Sequence, residues 1–390
     1  MGRSGNGEGE PASREQKKLM DFDFSEDQTE LSNLAKTIFS DLSTSDRVSE
    51  VEKTDQRFDK NLWEALADAG LLGVTIPENY GGLGLGMVEL SLVLQQQGKK
   101  VAPVPLFATS ILGSWAIAKY GKNPQKEQWL QEVCSGNQIL TGAWTPEKNS
   151  TKLITENDGN GWRVTGEKLA VPACNLSSAV LVPITIDGNQ RIAIISLDKK
   201  GLQKKIVETT NLELQGNLSF DAVELTEEDL LDEKGEIVFQ EVSQRAKIGI
   251  CAIILGCCEE ALTMTAQHVS EREQFGRPLS TNQGVALQAA DAHIDIDGIR
   301  VTQLQAAWQL DEGFECSKAV SSAKWWASEA GQRVVVTTQH LHGGTGADTT
   351  HPIHRYFLWV IQLADTLDGA GKSLNTLGKL IAEEALNKTS

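Results

Sequence analysis

The sequence predicts an α+β protein: a helical block, a small β block, then a block of longer helices. Two changes of hydrophobic period and one turn motif carry that prediction. Apolar residues recur at helical spacing from about residue 22 to 135, alternate with a period of two from about 136 to 232, and return to helical spacing from about 236 to the end. In the middle stretch, Asp187-Gly188-Asn189-Gln190 separates two β-branched runs as a hairpin turn does. The predicted divisions are 1–19, 20–135, 136–235 and 236–390.

Residues 1–19 are polar and lack an apolar core. They read as a disordered extension or tag remnant ahead of Met20 rather than as a secretory signal. Helical periodicity follows in "DQTELSNLAKTIFSDL", "NLWEALADAGLL" and "MVELSLVLQQQGKKV", with the Gly- and Pro-punctuated "GVTIPENYGGLGLG" as a loop between the last two. The runs "GWRVTGEKLAV", "AVLVPITI" and "RIAIISL" read as strands. In the last block, Leu287, Ala290, Ile294, Val301, Leu304 and Trp308 fall on one face of a long proline-free helix.

The 390 residues carry a net charge of −17, which argues against nucleic acid or an anionic membrane as the main partner. No apolar run is expected to be long enough to span a bilayer. The six cysteines (134, 174, 251, 257, 258, 316) have no metal-ligand spacing and read as reduced thiols of a cytoplasmic protein; no metal is expected.

Three stretches carry candidate chemistry. "TLDGAGKS" (366–373) suggests a phosphate-binding loop, but Thr366 stands where such a loop needs Gly, and a helical pattern precedes it. "SEREQFGRPLSTNQ" (270–283) offers Arg272, Phe275 and Gln283 around a Gly-Arg-Pro turn, a set able to grip an anionic, planar ligand. "QHLHGGTGADTTHPIHRYF" (339–357) places Gly343 and Gly344 at a helix end, where a ligand can approach the backbone closely. The adjacent Trp325 and Trp326 point about 100° apart on a helix and suit packing better than a substrate wall.

These stretches, with "PENYGGLG" and the helix–β–helix order, closely resemble the acyl-CoA dehydrogenase family over residues 20 to about 385. The pattern Arg-x-x-Phe-Gly-x-Pro-Leu-x-x-x-Gln at 272–283 is among that family's most specific signatures. The resemblance implies an N-terminal helical domain, a central β-barrel or sandwich, and a C-terminal four-helix bundle. It implies FAD as cofactor and α,β-dehydrogenation of an acyl-CoA, with a carboxylate base and an acceptor such as electron-transfer flavoprotein. It further implies that each FAD spans two subunits. Arg272, Phe275, Gln283, Gly343 and Gly344 would serve a neighbour's FAD, with His340 where Gln is common.

The departures matter as much. Counted without gaps from Pro352, the base position is Leu367, with Asp368 one residue on; the family's alternative position, on the first long C-terminal helix, is Ala246. The loop expected as Thr-Glu-Pro-x-x-Gly-Ser-Asp reads "AWTPEKNSTK", and Ala170 and Pro172 replace the Trp and Thr that face the flavin. The expectation is therefore a chain without a base of its own, which completes the FAD site of a catalytic homologue in an α2β2 heterotetramer. "QRFDKNLWEALADAGLL" and "HPIHRYFL" resemble the non-catalytic subunits of steroid side-chain acyl-CoA dehydrogenases. The alternatives are a self-sufficient dehydrogenase using Asp368 and a flavin-free binding or structural homologue.

Overall fold

The computed structural model describes residues 20, 22–145, 153–157, 159 and 161–389. The predicted extension 1–19 and most of the "AWTPEKNSTK" loop lie outside them.

Six helices form the first block: α1 (Glu26–Leu42), α2 (Ser45–Val51), α3 (Lys60–Asp68), α4 (Met87–Lys100), α5 (Trp115–Tyr120) and α6 (Asn123–Cys134). Ser25 starts α1 with a reciprocal capping box to Gln28. A π-helical segment, Ala108–Ser114, runs straight into α5.

The β block holds β1 (Leu140–Gly142), β2 (Ile154–Asn157), β3 (Trp162–Pro172), β4 (Ala179–Ile186), β5 (Asn189–Ser196), β6 (Leu202–Glu208) and β7 (Leu214–Leu225). They make two sheets, ordered β1-β4-β5 and β2-β3-β7-β6. The Asp187-Gly188 turn joins β4 and β5 with both residues at positive φ, as a tight hairpin requires. The two sheets share one core: Val180, Val182 and Ile195 meet Val164, Leu218 and Phe220. The other face of β4–β5, with Leu181, Ile192 and Ile194, packs on the helices. Burial on both faces explains why β4 reads as an unbroken apolar run. Of the two β architectures the sequence allowed, the structure has the sandwich.

The last block is α7 (Gly235–Glu271), the hairpin β8 (Glu273–Gln274) and β9 (Arg277–Pro278), α8 (Gln283–Asp311), α9 (Ser317–Leu341), α10 (Ile353–Asp365) and α11 (Ala370–Thr389). By length and composition alone α7 is apolar enough to cross a bilayer, although Glu259 and Glu260 interrupt its apolar stretch. Its apolar stretch is 72% buried among the other helices, as in the core helix of a bundle. Gly98 and Gly256 let α4 and α7 touch backbone to backbone; a Cβ on either would lie about 2 Å from a carbonyl oxygen of the facing helix. The apolar stripe predicted on α8 is split. Leu304 is buried, but Leu287, Ile294 and Val301 face outward, and the helix packs inward through Ala292, Ile296, Ile299 and Ala307 instead.

α10 is fastened to the first block. Arg355, 6% exposed, makes a two-pronged ion pair with Glu52 at 2.8 Å on each arm, and the Tyr356 hydroxyl donates to the Lys99 carbonyl. α10 ends at the turn that carries Asp368.

Candidate functional site

Two regions collect the residues singled out from the sequence. The first lies where α7 and α9 end. Arg272 leaves α7 with its N–H still bonded to the His268 carbonyl. Phe275 tips the β8–β9 hairpin at φ +55°, 98% exposed, with Gly276 beside it at φ +80°. Gln283 begins α8, and His340, Gly343 and Gly344 close α9. All six are exposed. The His268 and His342 rings stack at 4.5 Å and hold the ends of α7 and α9 together, so the two signature stretches form one surface. A Cβ built on Gly343 or Gly344 would meet nothing within 4 Å, leaving the backbone open to close approach from outside.

The second region is the cleft between the β sandwich, α4 and the end of α10. Here the chain is closed. Pro172 pairs with Gln215 and offers no N–H; its carbonyl is taken by the Thr141 hydroxyl at 2.6 Å. Ala170 sits in a bulge at φ +54°, its N–H donated to the Asn217 side chain. Between Pro172 and Thr366 remains a cavity of about 70 Å³, walled by Gln97, Phe107, Glu213 and Trp359. That is less than half the roughly 150 Å³ cavity that admits one benzene ring. Gln97 is 2% exposed and its Oε1 has no partner. Burial pushes the Glu213 carboxyl up, against a 2.7 Å hydrogen bond from Asn211 that lowers it.

Asp368, two residues past Thr366, does not line this cavity and is engaged. Lys247 donates to Oδ2 at 2.6 Å and Lys372 pairs with Oδ1. Burial of this side chain favours the neutral acid, but the two lysines outweigh it and hold the carboxyl below the usual carboxylate range. Leu367 precedes it at φ +64°, and Gly369 leads into α11. The stretch is a helix start with an ion-paired Asp, not a phosphate loop. Lys324, fully buried, donates to the Leu363 and Ala364 carbonyls and fixes the end of α10; burial lowers its pKa to about 8. Above Lys247 and Asp368 opens a second cavity of about 340 Å³, walled by Trp144, Phe239, Val320 and Leu380. Ala246 is wholly buried and presents no functional group.

Sequence reading missed Lys247, Lys324 and Glu213. Lys247 was concealed beside Ala246, and nothing in the linear pattern signals that it would meet Asp368. Trp325 and Trp326 pack edge to face at 5.2 Å, Trp326 lying against Gly298 of α8. The cysteines are free and, apart from half-buried Cys134, buried; no group suited to a metal ion occurs among the described residues.

Two family domains account for most of the chain. The acyl-CoA dehydrogenase N-terminal domain matches residues 25–137 and the C-terminal domain matches 233–374. The chain belongs to the acyl-CoA dehydrogenase family of flavoprotein oxidoreductases, whose members bind FAD. It is 34% identical to the acyl-CoA dehydrogenase FadE27 of Mycobacterium tuberculosis (strain ATCC 25618 / H37Rv), over 93% of this chain and 99% of that protein. Among solved structures it is similar to a variant of the Tcur3481-Tcur3483 steroid ACAD (41% identity, TM-score 0.86). It is also similar to the ChsE4-ChsE5 complex from Mycobacterium tuberculosis (35% identity, TM-score 0.89). Each match covers 93% of this chain and 99% of the other.

Bound FAD would supply the redox chemistry of such a site. The residues of this chain fit only part of it. The exposed Arg272–Phe275–Gly343–Gly344 surface offers a guanidinium, an aromatic ring and open backbone. The cleft at Pro172 offers no N–H and too little room for a three-ring system.

Proposed function

We propose that this chain is the non-catalytic subunit of a heteromeric FAD-dependent acyl-CoA dehydrogenase, paired as α2β2 with a homologous catalytic subunit. One contrast carries the reading: the residues suited to a neighbour's FAD are all exposed, while the chain's own cleft has closed to about 70 Å³. Arg272 would pair with phosphate oxygens, Phe275 and Gln283 would hold the adenosine side, and Gly343-Gly344 would let the dinucleotide lie against the backbone. His340 would stand beside the adenine.

The partner supplies the base. Asp368 is ionised but saturated by Lys247 and Lys372, and a group so engaged is a poor proton acceptor. Glu213 is the one carboxylate lining the closed cleft among the described residues, but no acyl chain fits beside it. The similarity to a steroid acyl-CoA dehydrogenase and to a two-component complex supports a bulky substrate, a steroid side-chain CoA thioester, bound mainly by the partner. Electrons then pass to an electron-transfer flavoprotein or similar acceptor, in the cytoplasm.

The test is reconstitution. The chain and the nearest-encoded homologue are purified singly and together and assayed with a steroid side-chain CoA thioester and an artificial electron acceptor. Activity only in the co-purified complex is expected. Activity of this chain alone, lost on Asp368→Asn, would establish the self-sufficient reading instead. Absence of flavin from every preparation would establish the flavin-free one.

A further inference from the structure

Behind the exposed Arg272–Gly343–Gly344 surface stands a column of three histidine rings drawn from three parts of the chain. His268 lies on the last turn of α7, and its carbonyl accepts the Arg272 N–H. His342 caps α9 and directly precedes Gly343. His351 lies in the loop that leads into α10. The His268 and His342 ring centres are 4.5 Å apart with their planes at 23°, and those of His342 and His351 are 5.1 Å apart. His342, 4% exposed, donates from Nδ1 to the Thr338 carbonyl at 2.8 Å. His351 does the reverse: its Nδ1 accepts the Ile353 N–H at 3.3 Å, a bond only an unprotonated nitrogen makes.

The charges around the column are few. Besides the other two rings, His268 faces Arg272 and Glu271. His351 faces His342, Asp348 and His354, and the Asp348 Oδ1 already accepts the Thr350 N–H and hydroxyl. Burial, then the charges of His342, His351 and Arg272, hold the His268 imidazole below its ordinary value, with Glu271 opposing. Burial and His342 lower His351 in the same way, with Asp348 opposing. Arg272 thus works against a proton on the column. An anion paired with Arg272 cancels that repulsion and adds attraction of its own.

We propose that His268, His342 and His351 are positioning residues of the shared cofactor surface, and that the column takes up a proton when the diphosphate of a dinucleotide binds beside it. The inference rests on the assignment of this surface to a partner's FAD. The column acts through Arg272 and through the Gly343 backbone, the two parts of the surface that it ties together. Coupling of this kind is reciprocal: if FAD favours the protonated column, the protonated column favours FAD. The sign is therefore fixed. FAD binds more tightly as pH falls through the imidazole range, and a rise of about one pKa unit on one ring corresponds to a tenfold gain.

The test uses the purified complex with its catalytic homologue, stripped of flavin, and FAD as the probe. FAD is titrated calorimetrically at about pH 6 in two buffers of different ionisation enthalpy, which counts the protons taken up, and its Kd is followed from about pH 7.5 to 5.5. Proton uptake is expected, with a Kd about three- to tenfold lower at the acid end. His268→Phe keeps an aromatic ring in the column and removes a proton site. It is expected to bind FAD with less proton uptake and a flatter pH profile, whereas a column that only packed would change affinity equally at every pH. His351→Asn keeps an acceptor for the Ile353 N–H and stands as the deciding variant if His268→Phe does not fold. FAD binding without proton uptake, or with the same uptake in the folded variants, overturns the coupling and leaves the cofactor assignment in place. No FAD binding at any pH overturns the assignment and the coupling together.

Discussion

The two ends of α7 have been treated in opposite ways. At its C-terminal end the chain keeps an exposed Arg, Phe, Gln and two glycines, and holds Phe275 at a positive φ that side chains rarely adopt. Toward its N-terminal half a proline, a bulged alanine and a buried Gln97 narrow the cleft beside Pro172, while Asp368 lies under a separate cavity and is doubly ion-paired. An exposed Phe at +55° brings this chain no packing and about 1–2 kcal/mol of backbone strain. An exposed, strained surface beside a narrow cleft is what the proposed shared site would leave on this chain.

The largest expected effect falls on the exposed end. Arg272→Ala in this chain should lower the FAD affinity of the co-purified complex by roughly 10- to 150-fold, the worth of about 1.5–3 kcal/mol of charge-assisted hydrogen bonding. FAD content after gel filtration reads it, although the substitution is not in the catalytic subunit.

The closed end should respond in stability and not in turnover. Asp368→Asn leaves the half-buried Lys247 without its counter-charge and should cost about 2 kcal/mol in denaturant unfolding, with turnover of the complex unchanged. Because the folded-state pKa of Asp368 lies below the usual range, its contribution is complete above about pH 4 and fades as pH falls through that lowered value. The stability gap between wild type and Asp368→Asn should narrow only in that acidic window.

Lys324 gives a slope of the same sign at alkaline pH, although here it is the neutral form that the fold favours. Its folded pKa of about 8 is below the ordinary lysine value, so the unfolded chain binds more protons between about pH 8 and 10.5. Wild type should gain stability relative to Lys324→Met across that interval, by up to about 1.4 kcal/mol per pH unit.

The smallest effect separates function from folding at one residue. Phe275→Gly should stabilise the isolated chain by about 0.5–1 kcal/mol, since glycine accepts φ +55° freely while costing chain entropy when unfolded. The same change should loosen FAD in the complex.

The division into helices, sheets and helices was legible because each block holds one period throughout, and the Asp187-Gly188 hairpin was legible because its residues dictate the turn. The exposed candidate surface could be picked out for a related reason: Arg272 to Gln283 is a single continuous stretch with the family's spacing. The closed half was legible only as absences. What fills it comes from contacts between distant segments. Lys247 of α7 meets Asp368, Thr141 reaches Pro172 from one sheet to the other, and Gln97 enters from α4. No local pattern announces such pairings. The α8 stripe shows the same limit, since Leu287, Ile294 and Val301 satisfy a helical period while facing out, and periodicity does not say which face a neighbour will cover.

The most direct measurement is the number of FAD molecules in the purified complex with its catalytic homologue, set beside the number in this chain purified alone. Two FAD per four chains, with none bound by this chain by itself, is the predicted result. Four FAD per complex, or a flavin-loaded homotetramer of this chain, would contradict the closed reading of the cleft at Pro172 and return Asp368 and Glu213 to candidacy as the base.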